Sequence, residues 1–145
     1  MRNRVAVLHG VNLDALERRP AEHYGGLTFT QLEYRIEQFA KELQLDARFF
    51  QSNHEGEYVE ELHKAGDYAD GLILNPGAWT HYAWSLRDAV EVSGLPAVEV
   101  HLSDVERREP FRRHSVLADV CVARVSGQGV DGYRDALARL KEAFA

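Results

Sequence analysis

Five short runs dominated by aliphatic residues divide this chain, and stretches of helical spacing separate them. The runs are Val5–Leu8, Ala47–Phe50, Gly71–Leu74, Pro96–Val100 and Val120–Val125. Each is too short for a buried helix. Each also lacks the strict apolar–polar alternation of a strand with one solvated face, so each reads as a strand covered on both sides. After the first run, Thr28-Phe-Thr-Gln31 fits a capping box, with Leu27 and Leu32 at the staple positions around it. Leu32, Ile36, Phe39, Ala40 and Leu43 then recur at helical spacing. Further helices are predicted over Glu55–Ala65, from about Thr80 to Ser93 with Gly94 beyond its end, and from about Val130 to Phe144. Asp104–His114 is charged and interrupted by Pro110, which predicts a loop with a short helical turn. Five βα units of this kind predict an α/β fold: a flavodoxin-like, doubly wound, five-stranded parallel sheet.

No repeat, low-complexity segment or composition break divides residues 1–145, so one domain is expected. One connection is long. Leu13–Gly26 is polar, has no clear apolar period, and carries Arg18-Arg19-Pro20 and His23-Tyr24-Gly25-Gly26. Connections of that length in compact domains tend to be lids or binding loops. No apolar run is long enough to span a bilayer, and no signal-peptide pattern opens the chain, so a cytoplasmic protein with no membrane partner is expected. The single cysteine, Cys121, excludes a disulfide framework. A net charge of −6 argues against nucleic acid as a partner. Arginines nevertheless cluster at Arg18-Arg19 and between Arg107 and Arg113. Such clusters fit either a small anionic ligand or solvated faces.

In a sheet of this type, ligands bind beyond the carboxyl ends of the strands. Those ends read His9-Gly10-Val11-Asn12, Gln51-Ser52-Asn53, Asn75-Pro76-Gly77, His101-Leu102-Ser103 and Ser126-Gly127. All five are polar or glycine-rich, the pattern of a polar pocket. Glu99 and His101 stand two apart on a strand and so share a face, within reach of each other. A carboxylate on one imidazole nitrogen sets the tautomer and raises the proton affinity of the other, as a general acid needs. A charged pair on an edge strand is the alternative.

Several familiar motifs do not hold up. Gly127-Gln-Gly-Val-Asp-Gly132 has the G-x-G-x-x-G spacing, but the chain ends after the following helix, leaving no second strand or ribose-binding acid. There is no Walker A sequence, no H-E-x-x-H or other metal spacing among the seven histidines, and no G-x-S-x-G elbow. The acidic residues of a receiver domain are absent, because His9 and Asn75 occupy the relevant strand ends.

HGVNL (His9–Leu13), RR…HYG (Arg18–Gly25), FQSNHEGE (Phe50–Glu57), LNPGAWTH (Leu74–His81), LRDA (Leu86–Ala89), EVHLSD (Glu99–Asp104) and FRRHS (Phe111–Ser115) follow one another in order. Together they resemble the type II 3-dehydroquinate dehydratases over nearly the whole chain. The resemblance implies a flavodoxin-like fold and elimination of water from 3-dehydroquinate through an enolate, giving 3-dehydroshikimate with no metal or organic cofactor. It implies Tyr24 as the base, Asn12 as the group polarising the enolate oxygen through a water, and His101, held by Glu99, as the acid on the C1 hydroxyl. A free tyrosine has a pKa near 10, and a neighbouring cation lowers it by about 1–3 units; Arg19 matches the family's arginine for that role. The resemblance further implies a substrate carboxylate on the Leu102 and Ser103 amides and the Ser103 hydroxyl. Asn75, His81 and Arg112 would meet the ring hydroxyls, and Asp88 would reach a neighbouring subunit's site. A dodecamer of four trimers is implied with it. Arg108 is open between a contact with the lid or site and an ordinary surface ion pair.

Type I dehydroquinases use a Schiff-base lysine in a barrel. The only lysines, Lys41, Lys64 and Lys141, all fall on predicted helices, which argues against imine chemistry. The chain departs from the family where N-G-P-N is replaced by His9-Gly10-Val11-Asn12 and R-E-P by Arg19-Pro20-Ala21. The altered lid motivates one alternative, a non-catalytic or altered-substrate paralogue that binds a cyclic polyhydroxy carboxylic acid. A nucleotide-binding flavodoxin-like module is the other.

Overall fold

A computed structural model describes all 145 residues. The five predicted strands form one sheet: β1 (Arg4–His9), β2 (Asp46–Gln51), β3 (Gly71–Asn75), β4 (Ala97–His101) and β5 (Ala123–Ser126). All pairings are parallel and the order is β2-β1-β3-β4-β5, so the expected doubly wound sheet is borne out.

Period two along each strand distributes the core. Val5 and Val7 of β1, Ile73 of β3, and Val98 and Val100 of β4 face one side. There they pack against α2 (Phe29–Glu42) and α5 (Asp131–Phe144) through Ile36, Phe39, Leu137 and Leu140. Ala6, Leu8, Leu72, Leu74 and Ala97 face the other side, against Tyr58 and Leu62 of α3 (Glu55–Lys64) and Leu86 and Val90 of α4 (Trp84–Ser93). Both sides of the sheet are covered, which explains the uninterrupted apolar strands. The capping box at Thr28 forms: Gln31 N donates to the Thr28 hydroxyl at 3.0 Å, and Thr28 N donates to the Gln31 side chain at 3.0 Å.

Four local expectations are corrected. The long connection is largely helical. Leu13–Arg18 forms a 3-10 helix and Ala21–Tyr24 a single turn, α1, ended by Gly25 in the left-handed region. Leu13 and Leu16 are buried in the core, a three-residue spacing too brief to register as a period among polar neighbours. The third helix is broken: Gly77–His81 is a 3-10 segment, and α4 begins only at Trp84. Asp104–His114 holds two short 3-10 turns, Val105–Arg107 and Pro110–Arg113. β5 starts at Ala123 rather than Val120, although the Val122 amide already pairs with the Ala97 carbonyl.

Candidate active site

The carboxyl ends of β1, β3 and β4 open onto one cavity. Asn12, Arg19, Tyr24, Asn75, His81, His101, Leu102, Ser103 and Arg112 all line it, and so does Arg108. The sheet order explains the convergence: β1 and β3 are neighbours from which the chain winds in opposite directions, leaving a crevice above their ends.

β4 supplies the floor. Glu99 shares a face with Ala97 and His101, and the carboxylate is fully buried. Its Oε2 lies 2.5 Å from His101 Nε2 and accepts from the Thr80 hydroxyl at 2.5 Å. The Ser115 hydroxyl donates to Oε1 at 2.7 Å, and Arg124 Nε stands 3.4 Å from Oε2. Burial alone would raise the Glu99 pKa, but the hydrogen bond and charge of His101, with the Thr80 and Ser115 hydroxyls, bring it down to about 2. Glu99 therefore stands as a carboxylate against Nε2 of the His101 ring, and Nδ1 is the nitrogen left to deliver a proton.

A pH dependence follows from that lowered value. The carboxyl takes up a proton more readily in the unfolded chain, so its contribution to stability is fully present above the ordinary value of 4.5 and is lost as pH falls through about 2. Thermal melts of wild type and Glu99→Gln from neutral pH downward should converge below pH 4.5, the wild type losing more. Parallel curves over that range would count against a charged Glu99.

The base side is built on the long connection. Tyr24 ends α1 and is half-buried, and two guanidiniums hold its oxygen: Arg19 Nη2 donates at 2.5 Å and Arg108 Nη1 at 2.7 Å. The Arg19 guanidinium carbon also sits 4.2 Å from the ring centroid. Arg108 reaches further, donating to the Ser103 hydroxyl at 3.2 Å, so it bridges the connection and the end of β4. The choice left open for Arg108 resolves toward the cavity.

Around these two groups lie neutral polar partners. His81 Nδ1 is 2.7 Å from the His114 carbonyl, which can only accept, so Nδ1 carries the proton and Nε2 is left as an acceptor. Burial, and the charges of His101, Arg112 and Arg124, lower the His81 pKa against the raising effect of that carbonyl. Asn75 donates from Nδ2 to the Tyr133 hydroxyl at 3.1 Å and accepts from Gly77 N at 3.2 Å. Asn12 adopts a left-handed backbone at φ 69°, and its amide donates to Asn53 Oδ1 at 2.8 Å. Asn53 thus serves the cavity indirectly, through Asn12. Arg112 Nε is paired with Glu109 at 3.1 Å.

Two residues lie outside. Asp88 is exposed on α4 and away from this cavity. His9 stands at a polar strand end, yet its side chain is fully buried on the α2 side, edge-on to Phe29 and stacked on Phe49, 3.3 Å from Glu33. Period two accounts for this, since His9 falls on the face of Val5 and Val7. Thr80, Ser115 and Arg124 escaped sequence reasoning because their common partner, Glu99, is distant along the chain. Only the β4–β5 register, which sets Arg124 opposite Glu99, brings the arginine there.

Residues 3–141 match the family described as dehydroquinase class II. The 3-dehydroquinate dehydratase of Bacillus pumilus is 48% identical over 131 residues, covering 90% of this chain and 89% of that protein. The 3-dehydroquinate dehydratase of Thermotoga petrophila is 45% identical over 139 residues, covering 96% and 95%. Among solved structures, the type II dehydroquinase from Butyrivibrio crossotus superposes with a TM-score of 0.91 at 37% identity, covering 97% of this chain and 98% of that one. A 3-dehydroquinate dehydratase-like protein from Bifidobacterium longum gives 0.70 at 26% identity, covering 98% of each chain. A cavity with a carboxylate-held histidine on one side and an arginine-flanked tyrosine on the other, in a chain matched almost end to end, leaves one assignment: this chain belongs to the class II dehydroquinase family.

Proposed function

We propose that the chain is a 3-dehydroquinate dehydratase that works by trans elimination through an enolate. The observation carrying this reading is the pairing of the Tyr24 oxygen with two guanidiniums in the same cavity as the Glu99–His101 dyad. Arg19 and Arg108 place positive charge and donors on the oxygen that bears the negative charge of a base.

The electron flow is short. Tyr24, as phenolate, removes a proton from C2, and the electron pair moves onto the C3 oxygen as an enolate. Asn12 polarises that oxygen through a water. The enolate collapses to form the C1–C2 double bond as the C1 hydroxyl leaves, and His101 protonates it to water. Glu99 stabilises the imidazolium before transfer and holds the ring in place.

Substrate placement follows the same geometry. Leu102 and Ser103 are buried residues that line the cavity, and their amides donate to no acceptor in the chain, which suits a carboxylate, with the Ser103 hydroxyl beside them. His81 Nε2, Asn75 and Arg112 face the ring hydroxyls. No cofactor enters any step. The exposed Asp88 is available to a second copy, in keeping with a trimer-based dodecamer in which it completes a neighbouring subunit's site. No helix is long and apolar enough to cross a membrane, and we place the activity in the cytoplasm.

Incubation with 3-dehydroquinate and borohydride tests the reaction type. Lys41, Lys64 and Lys141 all lie on helices and none lines the cavity, so protein freed of both reagents and given fresh substrate should dehydrate it at an unchanged rate. Inactivation would mean an imine. Binding without product would favour the altered paralogue instead.

A further inference from the structure

The Gly127–Gly132 segment, which has the G-x-G-x-x-G spacing, occupies a decisive position. It follows β5 directly and leads into α5. The β4–β5 register sets Ser126 beside His101, so the motif begins level with Leu102. Gly127 N donates to the Ser103 carbonyl at 3.0 Å, and Gly129 N to the Leu102 carbonyl at 3.2 Å. Both glycines are left-handed, at φ 79° and 57°. The residue after the motif, Tyr133, is fully buried and accepts from Asn75 Nδ2 at 3.1 Å.

These contacts control direction. A trans peptide is planar, and its C=O and N–H point opposite ways. Holding the Leu102 carbonyl against Gly129 therefore turns the Ser103 N–H away from the motif. At the ends of the neighbouring strands the first free amides are used internally: Gly10 N donates to the Asn75 carbonyl and Ser52 N to the His9 carbonyl. The Leu102 and Ser103 amides are not, although both residues are buried, and both line the cavity. Buried donors of that kind are costly unless an acceptor arrives.

We propose that the segment Gly127–Tyr133 is a positioning element for the anion site. Its Gly129 amide holds the Leu102–Ser103 peptide with the Ser103 N–H facing the cavity, its Gly127 amide fixes the following peptide through the Ser103 carbonyl, and Tyr133 sets the amide of Asn75. The inference rests on the dehydratase reading for the identity of the anion, a ring carboxylate. None of these residues touches substrate; each acts through Leu102, Ser103 or Asn75.

Gly127 and Gly94, both left-handed, provide a matched pair of variants, the second at the end of α4 and outside the motif. Asparagine tolerates this backbone region. A side chain at Gly94 meets nothing within 4 Å, whereas at Gly127 its Cβ stands 3.2 Å from Asp104 Cβ and 3.4 Å from its Cα, pressing on the residue after Ser103. The probe is quinate, titrated calorimetrically against the full chain beside the same ring lacking its carboxylate. Gly127→Asn should weaken quinate binding by about tenfold and leave the decarboxylated ring unaffected. Gly94→Asn should bind quinate like wild type, and Tyr133→Phe should weaken both ligands alike. In turnover, Gly127→Asn should raise KM more than it lowers kcat, which a purely structural lesion would not select.

Unchanged quinate affinity in folded Gly127→Asn overturns the proposal, as does equal weakening at both glycines or wild-type failure to bind quinate. If Gly127→Asn does not fold, Tyr133→Phe decides, since it preserves shape and removes only the acceptor of Asn75. Wild type that binds quinate but does not turn over 3-dehydroquinate would remove the dehydratase reading and leave the positioning role standing on the binding data.

Discussion

Tyr24→Phe should lower kcat for 3-dehydroquinate by about 10³-fold or more, within the usual worth of a positioned general base. The ring remains half-buried over Arg19, whose guanidinium carbon is 4.2 Å from its centroid, so packing survives. What disappears is the oxygen that both Arg19 and Arg108 address. The melting temperature should move little, because Arg19 is only half-buried and the Arg108 side chain, 9% exposed, retains Ser103 as a partner. Activity within tenfold of wild type would assign the base elsewhere.

The second large effect is at the opposite wall. His101→Gln should reduce kcat by about 10²–10³-fold, because an amide donates a hydrogen bond but does not release a proton. Glutamine is the informative replacement. Glu99 is fully buried, and alanine at 101 would strip one of its two nearest donors, mixing loss of the acid with the cost of an under-compensated charge. With glutamine, Thr80, Ser115 and Arg124 still surround the carboxylate and a side-chain amide replaces the ring nitrogen. A near-normal melt with a collapsed kcat isolates proton delivery. A normal kcat would show that the leaving hydroxyl needs no help from His101.

How much of this was legible beforehand divides along physical lines. The strands and main helices are written in apolar periodicity, because burial on both faces of a parallel sheet leaves no alternative composition for them. Leu13 and Leu16 were missed since one buried turn among polar residues produces no period. The broken third helix was missed for a related reason: Thr80 looks like an ordinary helix residue until Glu99 takes its hydroxyl. The cavity residues were legible mostly as ordered motifs, and the dyad alone followed from spacing, since i and i+2 share a strand face. Arg108, Thr80, Ser115 and Arg124 depend on tertiary register that no local pattern encodes. His9 shows the converse, a polar strand end that period two turns to the far side of the sheet. Gly127–Gly132 was set aside as a failed nucleotide fingerprint, and its contacts became visible only when β5 was placed beside β4.

The measurement that bears most directly on the central claim is turnover by the unmodified protein. Purified chain in buffer containing a metal chelator, supplied with 3-dehydroquinate alone, should produce a steady rise in the near-ultraviolet absorbance of a conjugated enone, abolished by Tyr24→Phe. No rise from folded protein that binds the substrate would contradict the account.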